Sequence, residues 1–155
     1  MANTTTNFVP SVVSEWKQVL LPMKASTVMV EGAAIGIEIA SNTTTGYKTL
    51  MGVENAAGAD FVGILAEPIA ATDSDYATAG KLKAVLIPLS RDTAEAFFTV
   101  GAGTFTAIDE GKTVQLASTS IALDVDTAGK GARITKYISA TRGKCVFSMP
   151  NTETA

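Results

Sequence analysis

The sequence contains no histidine and only one cysteine, Cys145. Without histidine, the chain can form neither a Ser–His or Cys–His catalytic pair nor a histidine general base, and a zinc site built on histidine is excluded as well. With one cysteine, no intrachain disulfide can form. Cys145 alternates with Phe147 and Met149 in an apolar run, so we interpret it as a small buried side chain.

No other stretch matches a template for catalysis or cofactor binding. Ala128–Ala132 lacks the length and spacing of a phosphate-binding loop, and Gly101–Gly103 lacks the third glycine of a dinucleotide fingerprint. Asp73–Asp75 and Asp124–Asp126 each place two acids in a turn without the further oxygen ligands of a calcium loop. We therefore expect a protein that is not an enzyme and that uses no cofactor or metal.

Charged residues are also scarce, at 17% of the chain against about 25% in typical domains. The formal net charge is −3, and the sequence lacks the clustered Lys and Arg that nucleic-acid binding requires. No apolar run approaches the ~18 residues of a membrane helix, and the first residues do not have the composition of a secretory signal. We expect a soluble protein, made in a cytoplasm, with no nucleic-acid or membrane partner and with a Thr-, Ala-, Ser- and Gly-rich surface suited to protein contacts.

Short apolar runs separated by turn residues are what the chain has in quantity. Phe61–Pro68 and Lys81–Pro88 are rich in Val, Ile and Leu and are bounded by Gly, Asp, Ser or Pro, which is typical of β-strands. Ser90–Phe98 favours a short helix, with Ser90 or Asp92 as its N-cap. The same pattern predicts further strands at 27–31, 33–40, 47–51, 97–100, 104–108, 113–117 and 120–124, and a hairpin formed by 132–139 and 144–149. The predicted fold is mainly β, a small barrel or sandwich-like body with one short helix.

Residues 1–22 differ from the rest in composition, so the predicted units are an N-terminal arm at 1–22, a β-rich domain at 23–150 and a flexible tail at 151–155. The arm holds the only tryptophan, Trp16, between Pro10 and Pro22. Two interpretations stay open. The segment either folds back on its own core, or extends as an arm whose apolar side chains dock on a partner, since tryptophan is enriched at binding hot spots.

One series of motifs resembles a known family. It consists of the Gly/Ala/Asp turn at 54–60, Phe61-Val-Gly-Ile-Leu-Ala66, a Thr/Asp-rich gap, the strand at 82–89 and Val100-Gly-Ala-Gly-Thr-Phe105. In this order the motifs resemble the head decoration proteins of tailed bacteriophages, the lambda-like capsid-stabilising family. The chain is longer than a minimal member, and the extra length follows Gly103.

The resemblance implies a β-tulip body that binds the outside of an expanded icosahedral capsid as a homotrimer and stabilises it against internal pressure. The expected partners are the major capsid protein and further copies of this chain, and the expected location is the virion surface. An N-terminal arm in this family becomes ordered on the capsid, so residues 1–22 would take that role. The candidate capsid-binding residues are Phe8, Val9, Val12, Val13 and Trp16.

Two other functions stay open. The chain could be another phage structural subunit, of a tail tube or fibre, which would assemble head to tail. It could also be a small β module that binds a carbohydrate or another ligand, although its aromatic residues are scattered along the sequence. We further expect from the sequence that deletion of 1–22 leaves a folded body and abolishes capsid binding.

Overall fold

Two β-sheets make up the computed structural model, which describes residues 7–36, 46–50, 61–117 and 121–147. The prediction of a mainly β protein is confirmed. The strands are β1 (Val9–Pro10), β2 (Trp16–Met23), β3 (Ala34–Gly36), β4 (Lys48–Thr49), β5 (Phe61–Leu65), β6 (Lys81–Pro88), β7 (Ala96–Ala102), β8 (Thr113–Leu116), β9 (Leu123–Ala128), β10 (Ala132–Ser139) and β11 (Arg142–Val146).

The six-stranded sheet, sheet A, has the order β1-β7-β11-β10-β8-β9, and the five-stranded sheet, sheet B, has the order β2-β6-β5-β3-β4. Neighbouring strands run antiparallel, with the exception of an additional parallel pairing between β7 and β9. This pairing places β9, at the end of that order, beside β7. Strands β7, β11, β10, β8 and β9 therefore form a partial ring.

The core divides into two clusters that occupy opposite faces of sheet B. The larger cluster joins the two sheets, and its centre is aromatic: the rings of Phe61 and Phe147 stack with centroids 4.1 Å apart, and Phe8 meets Phe147 edge-on at 5.0 Å. The smaller cluster lies on the other face of sheet B and consists of Met23, Met29, Ile35, Leu65, Ile69 and Val85. The apolar runs read as strands in the sequence therefore supply both clusters.

Gly63 explains why one of these runs contains a glycine. It lies in β5 opposite Ile35, and a Cβ at this position would run into the Leu86 carbonyl oxygen and approach Val85 Cγ1 to 2.7 Å. Only a residue without a side chain allows β5 to approach β6 this closely.

The short helix predicted at 90–98 is wrong, and the described residues contain no α-helix, only 3-10 turns at Val13–Glu15 and Ala107–Asp109. The amides of Thr93 and Ala94 both bond to the Ser90 carbonyl, which makes a single turn, and β7 starts at Ala96. Pairing with β1 on one side and β11 on the other overrides the helix propensity of the alanines.

The remaining strand predictions have mixed outcomes. The hairpin is confirmed as β10–β11, and Cys145 is fully buried there. Of the predicted strand at 27–31, only Met29 makes a bridge, to Ile69. The predicted strand at 104–108 is wrong, because Thr106 and Asp109 instead form a capping box around the second 3-10 turn. Residues 1–6, 37–45, 51–60, 118–120 and 148–155 lie outside the described part of the chain, and the predictions for Met149 and for the tail at 151–155 fall there.

Candidate interaction surface

The N-terminal segment forms part of both sheets. Val9 in β1 pairs with Phe97 of sheet A, and β2 pairs with β6 along its whole length, from Trp16 opposite Pro88 to Met23 opposite Lys81. The predicted boundary at residue 22 therefore falls within a strand. In the structure the segment from residue 8 onward folds back on its own core, the first of the two interpretations left open by the sequence.

The five candidate capsid-binding residues separate into a buried and an exposed group. Phe8 is 2% exposed, and Trp16 is 7% exposed with its indole Nε1 donating to the Glu95 carbonyl at 3.3 Å. Val9 is half-buried in β1. Val12 and Val13, in contrast, are 48% and 75% exposed. Phe8 and Trp16 thus anchor the segment to its own body, and only Val12 and Val13 are available to a partner.

Val12 and Val13 are exposed because the chain turns between β1 and β2. The Glu15 amide bonds to the Val12 carbonyl at 3.0 Å and closes the 3-10 turn, while the Ser11 amide bonds to the Glu95 carbonyl at 2.9 Å. Leu89, which is 64% exposed, lies beside this turn, since its amide donates to the Glu15 carbonyl at 2.9 Å. We call Val12, Val13 and Leu89 the apolar corner.

A second exposed apolar area follows the β2–β6 pair. Leu20 and Leu82 are 59% and 58% exposed, and Pro22 lies directly opposite Leu82 in the register. Directly opposite residues share a face of the sheet, so these three side chains form one apolar strip. Pro22 also fits β2 as an edge strand, where a missing N–H disrupts no ladder.

An apolar groove opens between the two sheets, with a volume of about 580 Å³. Phe8, Val9 and Pro10 line one wall, and side chains of sheet B line the other, among them Ile64 and Leu86. A groove of this size is within the range of small-molecule sites. The sequence did not predict it, because its walls come from segments far apart in the chain and no local pattern marks them.

The described residues offer little reactive chemistry. They contain no group of three or more His, Cys, Asp or Glu side chains that could hold a metal ion. Complete burial raises the pKa of the Cys145 thiol far above its usual range, so the thiolate nucleophile is absent at neutral pH. No helix in the described part of the chain is long and apolar enough to cross a membrane.

Among the described residues, Asp109 is a buried carboxylate with a clear structural task. It accepts hydrogen bonds from Lys112 Nζ at 2.8 Å and from the Thr106 amide at 2.9 Å, and these bonds hold its pKa below the usual range. The group caps the second 3-10 turn and faces neither the groove nor the apolar corner. We assign it to stability.

Comparison of the chain with protein-family models, with curated proteins and with solved structures returned no match.

Proposed function

We propose that the protein is a non-enzymatic structural protein of a phage virion, which binds the outside of an expanded icosahedral capsid as a trimer and stabilises it. The motifs at 61–66, 82–89 and 100–105 that resemble the decoration family support this proposal. Two of them correspond to β5 and β6, which are hydrogen-bonded neighbours in sheet B. Its partners are the major capsid protein and further copies of this chain, and it acts at the virion surface.

The observation that carries the proposal is the set of exposed aliphatic side chains on and beside β2. The apolar corner and the apolar strip lie at opposite ends of the β2–β6 pair, and each contains residues more than half exposed. Large exposed apolar side chains grouped in this way are typical of protein interaction sites. They accompany a chain with no histidine and, among its described residues, no metal-binding cluster.

The first experiment separates a lysate of the natural source on a density gradient and probes every fraction for this protein. We expect co-sedimentation with full, expanded particles at a copy number comparable to that of the major shell protein. A few copies per particle would favour a tail component instead. Complete absence from particles would contradict a virion role.

A second experiment tests the apolar corner. The double variant Val12→Ser/Val13→Ser removes two exposed apolar side chains without touching the core, so we expect normal folding and at least about tenfold weaker binding to capsids, the effect of losing ~1.4 kcal/mol. Ile108→Ser is the matched control, because Ile108 is 81% exposed on the distant second 3-10 turn. Equal binding by the double variant and the control would contradict the role of the corner.

The groove favours one alternative function, that of a small β module that binds a ligand. Its apolar lining suits an uncharged apolar or amphipathic molecule. Replacement of Leu86 by Gln would then weaken ligand binding and leave capsid binding unchanged. This alternative gains weight if the protein is absent from particles.

A further inference from the structure

The outward face of β11 and β10 carries four cationic side chains, two of them over an aromatic ring of β7. Arg142 Cζ and Lys144 Nζ lie 4.8 Å and 5.3 Å from the centroid of the Phe97 ring. Lys136 is directly opposite Lys144 in the β10–β11 register, and Arg133 lies on the same strand as Lys136. We call Arg133, Lys136, Arg142 and Lys144 the basic face. The alternate residues of these strands, Phe98, Ile134 and Cys145, point into the core.

The basic face costs stability in a single subunit. Like charges directly opposite each other on antiparallel strands are destabilising, and this is the arrangement of Lys136 and Lys144. Within the described part of the chain, neither lysine is within ion-pair distance of a carboxylate. The nearby Glu110 carboxylate accepts the Tyr137 amide at 2.7 Å, which fixes it at the border of the face. A negatively charged partner would relieve the repulsion.

An acidic area lies on another strand of the same sheet. Asp124 and Asp126 of β9 point outward, because they alternate along the strand with Leu123 and Val125, which are buried. The register of β8 and β9 jumps from Val114 opposite Ala128 to Gln115 opposite Asp124.

This break leaves residues 125–127 without cross-strand partners and opens a recess of about 520 Å³ lined in part by Asp126. The cation in the recess, Lys112, is already paired with Asp109 at 2.8 Å. The two aspartates therefore remain available to an external cation.

The basic face and the acidic area lie on the outward face of different strands of sheet A. In its partial ring, β9 is flanked by β8 and β7, so it is separated from both β10 and β11 by one strand. The shared core fills the ring, so the charged side chains of both areas point away from it. The formal charge is also unevenly divided. The basic face holds four of the twelve Lys and Arg residues, and the other eight, together with fifteen acids, give the rest of the chain a net charge of −7.

We propose that the partner of the basic face is a second copy of this chain, whose β9 acidic area docks on it head to tail. Two different, complementary patches on one subunit are what a heterologous interface requires, and such an interface closes into a ring when its rotation allows. Closure at three copies rests on the trimer of the proposed function. The proposal assigns the subunit contact to the outer faces of β10 and β11 in one copy and to β9 in the next.

The test uses charge reversal in the full-length protein, with mass measured by analytical ultracentrifugation. Lys136→Glu/Lys144→Glu and Asp124→Lys/Asp126→Lys should each weaken self-association by about tenfold to a hundredfold. The combined four-residue variant should regain it, because opposite charges meet again at every contact. A mixture of the two double variants should form mixed dimers but no closed trimer, because acidic and basic subunits must alternate and a ring of three cannot alternate. Lys17→Glu/Lys24→Glu, with Lys17 in β2 and Lys24 directly after it, is the matched control and should associate as the natural chain does.

The Asp124→Lys/Asp126→Lys variant also loses hydrogen bonds that Asp124 and Asp126 accept, so a second variant is needed to separate charge from folding. Asp124 accepts the Asp126 amide and the Thr127 hydroxyl, and Asp126 accepts the Thr104 amide. Asp124→Asn/Asp126→Asn keeps an acceptor oxygen at each position and removes only the charge, so it should also weaken association, and high salt should weaken it in the natural chain.

A four-residue variant that folds but fails to regain association would overturn the proposal, as would a natural chain that is monomeric at every soluble concentration. Co-sedimentation with capsids decides the proposed function independently. If the charge reversals leave self-association unchanged and the protein still binds capsids, the protein is a decoration protein with a different subunit contact.

Discussion

Trp16 offers the sharpest test of whether the N-terminal segment belongs to the body in solution. The indole is 7% exposed and packs in the main core, so Trp16→Ala should reduce the free energy of unfolding by about 3–5 kcal/mol, the usual cost of truncating a buried aromatic residue. For a chain of this size each kcal/mol corresponds to roughly 2–4 °C in Tm. The expected loss is therefore about 6–20 °C.

Two matched variants separate the contributions. Trp16→Phe keeps most of the apolar contact and loses the indole hydrogen bond to the Glu95 carbonyl, which still accepts the Ser11 amide, so it should cost only about 1 kcal/mol beyond any change in packing. Val13→Ala, at a 75% exposed position of the same segment, should change stability by less than about 0.5 kcal/mol.

Circular dichroism during thermal and urea unfolding measures these differences. Because Trp16 is the only tryptophan, the natural chain also reports its environment by intrinsic fluorescence, which should shift to longer wavelength as the protein unfolds. A Trp16→Ala cost no larger than that of Val13→Ala, together with solvent-like emission in the folded protein, would refute the placement of the segment in the core. On the same reasoning, deletion of 1–22 removes β1, most of β2 and two core aromatic residues, so we now expect it to unfold the body.

Two further predictions concern stability. Gly63→Ala should destabilise the protein by about 1–3 kcal/mol, because the new methyl group meets the Leu86 carbonyl and Val85 across β5 and β6; an unchanged urea midpoint would show that the strands can separate at no cost. Asp109→Asn should cost about 1 kcal/mol at neutral pH through the weakened capping box. The hydrogen bonds from Lys112 and Thr106 lower the pKa of Asp109 in the folded state, so its stabilisation is complete above the unfolded pKa of roughly 4 and is lost as pH falls through the folded value. The stability difference between natural chain and variant should therefore shrink below about pH 4, and a difference that stays constant down to pH 2 would contradict this assignment.

Local pattern was sufficient for the strands whose apolar runs are bounded by strong turn residues. β5, β6 and the β10–β11 hairpin were predicted near their observed bounds, and Cys145 was correctly interpreted as a core residue. These are elements in which alternation, β-branched residues and nearby Gly or Pro all favour the same conformation. Such agreement among local signals is what makes a segment predictable.

Prediction failed at two segments, one overridden by distant strand partners and one by a competing local turn. The alanines before Phe97 favour a helix, but β1 and β11 pair with this segment on both sides and extend it. Thr104–Ile108 alternates like a strand, yet the capping box of Thr106 and Asp109 turns it. The pairing with β1 and β11 is invisible to any window of neighbouring residues, whereas the capping box joins residues only three apart and is a local signal that outweighs the alternation.

The sequence by itself determined the mainly β character, the short strand lengths, and the absence of histidine and disulfide chemistry, because these depend on composition and local spacing. Only the tertiary structure decided that Phe8 and Trp16 are core residues, that Val12 and Val13 are exposed, and that Arg142 and Lys144 of β11 lie over the Phe97 ring. The physical reason is that burial and charge clustering depend on which strands become neighbours. In this chain β2 pairs with β6 and β7 with β11 across long sequence separations, and those pairings give each side chain its surroundings.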